Sequence, residues 1–187
     1  MNLRPSSRTL RPSSMTSQIE TSVGNQVRWP ASYLPASSRV FVHNEIVIPA
    51  SPEHIWRWLI RADLWPSWYE NAADIHFLSH TGPDLRDRSR FRWRTFGARI
   101  TSKVLEFEPH RRLAWDAHGI GIAAYHAWVI TPMPSDGMSQ RTQVLTEETQ
   151  TGWRARLGKL LMPDRMHTMH QLWLESLSRQ AQTGPPE

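Results

Sequence analysis

The groups in this chain that could do chemistry are histidines and carboxylates. There is no cysteine, which excludes a thiolate nucleophile, a thiolate metal site and any disulfide. Neither a serine-nucleophile signature nor a glycine-rich phosphate loop is present. His118 and His126 flank the turn at Gly119–Gly121, His167 and His170 stand three apart, and Glu147 and Glu148 close the last strand-like segment. Imidazole and carboxylate together suit proton transfer near neutral pH, or a divalent metal where three such groups converge with outer hydrogen-bond partners. The spacing compels no such convergence, so neither a metal nor a cofactor is expected. His76 and His80 are four apart, but on a segment passing from strand to loop, where they share no helical face and read as surface histidines. His126, in "YHAWVI", is the candidate catalytic residue, because that strand should border the interior. A solitary histidine in such a place is more often a satisfied polar core group than a base. Glu148 or Asp116 could orient it, and the alternation phase of the strands leaves that open. With Leu113 and Trp115 inward, Asp116 points to water.

These groups need elements to hold them. "RVFVHNEIVIP" is rich in β-branched and aromatic residues and reads as a strand. Ser51 is then a good N-cap, Pro52 suits the first helical position and Glu53 the first-turn dipole, so a helix should run to Ile60 or Arg61. Asp63 can cap a second short helix in "LWPSWYEN". Trp56, Trp58, Trp65 and Trp68 crowd this region, and rings so dense could either stack on an outside partner or fill a core. Strands dominate the middle: "ADIHFLS", "DRSRFRWRTF", "ARITSKVLEFEP", "RLAWDAH", "IAAYHAWVITP" and "RTQVLTEETQTG". In the second of these, Phe91 and Trp93 share one face, while Arg90, Arg92 and Arg94 form a solvated outer stripe. Short turns between strands imply an antiparallel meander. A helical segment from Trp153 to about Gln180, broken near Pro163, carries the stripe Met166, Met169, His170, Trp173, Leu174 and Leu177.

The net charge of +5 is unevenly placed. Residues 1–39 hold five arginines against Glu20, giving +4, and the remaining 17 basic and 16 acidic residues give +1. A nucleic-acid-binding domain concentrates its charge on the fold, so no nucleic-acid partner is expected. Only Arg57 and Arg61 accompany the crowded tryptophans, too few for a base-stacking platform. No run approaches the ~18 apolar residues of a membrane span, and no signal-peptide core is visible, so the expected location is cytoplasmic. Residues 1–38, with a repeated Arg-Pro-Ser-Ser, cannot bury enough surface to offset ordering entropy and are expected to be a disordered extension. "VRWPASYLP" within it could pack extended against the domain. The domain itself is expected over residues 39–181, with 182–187 flexible.

The element order, together with "VIPASPEHIWRWLIRADLWPSW", "FRWRTFGARITSKVLEFEPHRRLAW", "YHAWVITPMPSDGMSQRTQV", "EETQTGW" and "GKLLMPDRMHTMHQLWLESL", resembles the SRPBCC superfamily, the START, polyketide cyclase/dehydrase and lipid-transport group. That resemblance implies an α+β helix-grip fold: a curved antiparallel sheet of about seven strands around a long C-terminal helix, two short helices after the first strand, and a cavity between sheet and helix. The crowded tryptophans then belong to the helical pair and are core and rim, each able to bury ~150–250 Å². Alternation and bulk select Phe91, Trp93, Ile100, Val104, Trp115, His126 and Trp128 from the sheet as ligand-binding residues. Helical spacing selects Met166, His170, Trp173 and Leu174. Two functions follow from the resemblance. One is binding, transport or sequestration of an apolar or aromatic small molecule. The other is a cyclase/dehydratase-type reaction on a polyketide-like substrate in the same cavity. Catalysis takes precedence if His126 and His170 face one pocket within reach of a carboxylate.

Overall fold

The computed structural model describes residues 26–134 and 140–186. The expected disorder of residues 1–25 and part of the turn in "SDGMSQ" lie outside the described residues. The chain forms β1 (Val40–Ile48), α1 (Pro52–Ile60), a 3-10 turn (Ala62–Leu64), α2 (Trp65–Trp68), β2 (Ala73–Phe77), β3 (Arg90–Thr95), β4 (Ala98–Glu108), β5 (Arg112–Gly119), β6 (Ile122–Pro132), β7 (Thr142–Thr151), α3 (Trp153–Leu161) and α4 (Arg165–Ala181). The seven strands make one antiparallel sheet in the order β1-β7-β6-β5-β4-β3-β2. A register shift between Val104 and Glu106 inserts a residue into β4, and such a bulge bends and twists the strand. α4 packs across β1 and α1, with Asn44 Nδ2 donating to the carbonyl of His167 and to Gln171 Oε1. The architecture is the α+β helix-grip.

Local chemistry sets the helices. The Ser51 hydroxyl accepts from the His54 amide at 3.2 Å and Pro52 opens α1, the cap and first-turn proline that the sequence calls for. The apolar stripe of α1 buries Ile55, Trp56 and Leu59. Trp65 follows on α2, fully buried, its indole donating to the Leu59 carbonyl at 3.0 Å. Around it stand Phe91, Trp93, Trp115 and Trp173 at centroid separations of 5.2–5.9 Å, within the range of favourable aromatic pairing. Tyr69 stacks on Trp173 at 4.4 Å. The dense tryptophans thus fill the core, with Trp58 and Trp68 at its margin.

One expected boundary is corrected. Residues 26–38 belong to the ordered structure rather than to a disordered extension ending at 38. Val27, Trp29 and Tyr33 pack on Ala114, Tyr125 and Ala127, on the sheet face opposite the inward residues Trp115, His126 and Trp128. Polar anchors hold the segment: Arg112 Nη1 donates to the Gln26 carbonyl at 2.8 Å, Thr149 donates to the Tyr33 carbonyl at 3.0 Å, and Arg28 pairs with Glu106 and Glu108. The reason is the outer face itself. Ala114, Tyr125 and Ala127 leave an apolar strip there, and the Trp29 and Tyr33 rings cover it.

Candidate functional site

Period two of β7 puts Thr142, Val144, Thr146, Glu148 and Gln150 on one face, and the register places Glu148 directly opposite His126. α4 brings His170 onto the same spot from above. His170 Nε2 donates to Glu148 Oε2 at 3.1 Å, and His126 Nδ1 lies 3.3 Å from the same oxygen. Gln150 Nε2 donates to Glu148 Oε1 at 2.6 Å. The two imidazole planes are 9° apart with centroids at 4.7 Å. His126, Glu148 and His170 are all buried, at 3%, 7% and 1% exposure.

The Thr146 hydroxyl donates to the Ala127 carbonyl at 3.2 Å and lies 2.7 Å from His126 Nε2. The hydrogen bonds to Glu148 come from His170 and Gln150, and His126 Nδ1 stands beside them. Burial pushes His126 down to about 3, against the attraction of Glu148 and with the repulsion of His170, so it is neutral at physiological pH. For Glu148, burial opposes the charged form. Donation from His170, attraction to both imidazoles and the Gln150 amide outweigh it, and the pKa lies below the usual carboxylate value. An ionised carboxylate thus sits in the core with two hydrogen-bond donors, His170 and Gln150, and the His126 ring beside it. His170 Nδ1 is buried without a partner.

His126, Glu148 and His170 are also the right ligand types to hold a small divalent ion. The arrangement fits proton sharing better. A metal must lie in the plane of each ring it binds, and two nearly parallel rings at 4.7 Å do not meet in such a point. Metal bound at Nε2 would moreover leave His170 Nδ1–H without an acceptor.

A cavity of about 480 Å³ opens from this cluster toward α3. Its buried end is lined by Trp93, Trp115, His126, Glu148, His170 and Trp173, and its sides by Val40, Val42, Ile100, Ala117 and Ala124. Its mouth lies among Leu157, Lys159, Leu161, Met162 and Arg165. Of the residues selected from the sequence, Trp93, Ile100, Trp115, His126, Met166, His170 and Trp173 line it. Phe91, Val104, Trp128 and Leu174 do not; they are buried in the core cluster. Alternation picks the face of a strand but not the depth along it, and these four lie where α1, α2 and α4 close the core. Absent from the selected lining are Glu148, Gln150, Val40, Val42 and the α3 residues. Counting by two from Val144 through "TQVLTEETQ" would have put Glu148 inward. No sequence signal shows that α3 turns back over the cavity.

Comparison with known proteins accords with this geometry. A family model described as polyketide cyclase / dehydrase and lipid transport matches residues 39–182. The chain belongs to that family, within the SRPBCC superfamily expected from the sequence. A crystal structure of a hypothetical protein from Helicobacter pylori is 30% identical, with a TM-score of 0.76, covering 84% of this chain and 96% of that one. The Zhui aromatase/cyclase from Streptomyces sp. R1128 shares the fold at 13% identity and a TM-score of 0.61, over 76% of this chain and 93% of that one. A START superfamily protein from Mycobacterium smegmatis does so at 12% identity and a TM-score of 0.54, over 73% and 98%. No functionally curated protein matches the chain. Among the described residues no helix is long and apolar enough to cross a membrane. Family and fold together support a role in ligand binding or in cyclase-like chemistry.

Proposed function

We propose that this chain is an acid–base enzyme of the cyclase/dehydratase kind, acting on an apolar, carbonyl-bearing substrate held in the cavity. The observation that carries the proposal is the ionised Glu148 carboxylate between two imidazoles at the buried end of an aromatic-lined cavity. Burying such a charge costs several kcal/mol before pairing, and perturbed groups in a cleft mark a site of chemistry. His126 was the candidate base from the sequence, but a pKa of about 3 makes it a weak one at neutral pH. The base is assigned to His170. Its Nε2–H is fixed by Glu148, which leaves the Nδ1 lone pair as acceptor and stabilises the imidazolium once formed, the logic of a carboxylate–histidine pair. His170 takes a proton from carbon beside a substrate carbonyl. The carbanion attacks a second carbonyl to close a ring and the imidazolium returns its proton to the alkoxide so formed, or the bond to a hydroxyl at the next carbon breaks and the same proton leaves with it as water.

A second reading, a carrier without chemistry, has one observation in its favour. The polar atoms of the cluster largely satisfy one another, and the imidazoles are barely exposed. Native mass spectrometry of wild type and Glu148→Gln, each freshly purified from the same cells, separates the two. The catalytic reading expects the variant to retain a bound molecule that differs in mass from that in wild type, because conversion has stopped. The same bound mass in both proteins would leave only the carrier.

A further inference from the structure

α3 is amphipathic in an unusual sense. Trp153, Leu157, Leu160 and Leu161 recur at i, i+4, i+7 and i+8 and so form one stripe, yet this stripe faces outward, at 63%, 47%, 78% and 66% exposure. Ala155 is the one buried residue of the helix. Its other charged positions are Arg154, Arg156 and Lys159, with no acidic residue among the nine. Ile120, in the adjoining β5–β6 turn, adds another apolar side chain at 79% exposure, and Met162 extends the stripe at 46%. The turn and the helix are fixed to each other. Gly121 and Gly152 both have positive φ, and a Cβ at Gly121 would collide with the Trp153 indole, one at Gly152 with the Gly121 backbone. Leu157 and Leu161 belong to this stripe and to the cavity mouth alike.

We propose that α3 is a membrane-docking helix, which seats the cavity mouth on an anionic lipid surface so that an apolar substrate passes between bilayer and cavity. The occupant is read from charge and shape. An apolar stripe with tryptophan at one end and a purely cationic flank is the composition of a helix lying in the headgroup boundary of an anionic membrane. A second copy of this chain would bring the same cations against each other across a twofold contact. What the surface delivers rests on the cavity-binding reading; the docking does not.

The test is sedimentation of the full-length protein with sucrose-loaded phosphatidylcholine vesicles, with and without phosphatidylglycerol. Binding is expected only to the anionic vesicles, weakening with salt. Arg154→Gln together with Lys159→Gln should weaken it by about fivefold per charge. Leu160→Gln together with Leu161→Gln should weaken it by about tenfold or more through lost apolar burial, with the thermal midpoint unchanged. That leucine pair also separates α3 from the basic N-terminal residues, whose attraction to anionic lipid would not need leucines. Equal binding by wild type and the leucine variant would overturn the proposal. So would absence of vesicle binding, including the case in which the wild type forms a dimer that the leucine variant lacks. A protein that docks but carries no cavity ligand in native mass spectra would leave the docking intact and remove the substrate reading.

Discussion

The two ends of the cavity are built on opposite rules. At the closed end the side chains are held from several sides: Trp173 meets Trp65, Trp93, Trp115, Trp128 and His126, and Glu148 accepts from His170 and Gln150 with His126 beside it. At the mouth, α3 buries a single residue and turns leucines outward. Close packing leaves few alternative positions for a buried group, whereas few buried contacts mark a segment of low local stability. Rigidity is thus placed where a proton must be positioned, and freedom where a ligand must enter.

The largest break in this comparison comes from Trp65→Ala. It empties the centre of the aromatic cluster and should lower stability by about 3–5 kcal/mol in urea titrations, taking ligand binding with it. If it costs less than 1 kcal/mol, the closed end is not the rigid half. Acid should act next. The unfolded state takes a proton on His126 near its ordinary value of 6.5, whereas the folded state resists until about 3. A depressed folded pKa means stability is full above 6.5 and is lost as pH falls, by up to about 1.4 kcal/mol per pH unit from this one group. Glu148, also depressed, adds a loss below the ordinary carboxylate range, again as pH falls. Thermal midpoints measured from pH 7 to pH 4 should fall, and His126→Asn should flatten the part nearest neutrality. An unchanged slope in that variant would place the acid lability elsewhere.

A smaller effect is expected on the convex side. Trp29→Ala should cost about 1–2 kcal/mol, less than a core tryptophan because the ring is only half-buried and covers the sheet from outside. Deleting residues 1–25 should leave the midpoint within error, and a drop of many degrees would show that they too pack on the sheet. Smallest of all, Leu160→Gln should move stability by no more than about 0.5 kcal/mol while weakening vesicle binding. A large destabilisation would mean that the outward stripe is packed in the native state.

Much of this molecule is legible in its sequence. Ser51-Pro52-Glu53 announced α1, the alternation of "RFRWR" fixed which side of β3 faces in, and the order of elements sufficed for the helix-grip, because caps, turns and period two are local properties of the chain. The same local rules selected seven residues that do line the cavity and four that do not, since periodicity gives a face and no depth. The meeting of His126, Glu148 and His170 was not local. His126 and Glu148 face each other through the β6–β7 register, and His170 arrives on a helix whose height over the sheet is set by α1, β1 and the aromatic core. The sequence by itself determined the elements, their order and the buried faces of α1 and β3. Only the tertiary structure decided that one buried carboxylate would lie between two imidazoles, and that α3 would close over the cavity with its leucines outward. Burial costs are paid residue by residue along the chain, but the distances that set a pKa or a proton path exist only once distant segments share a core.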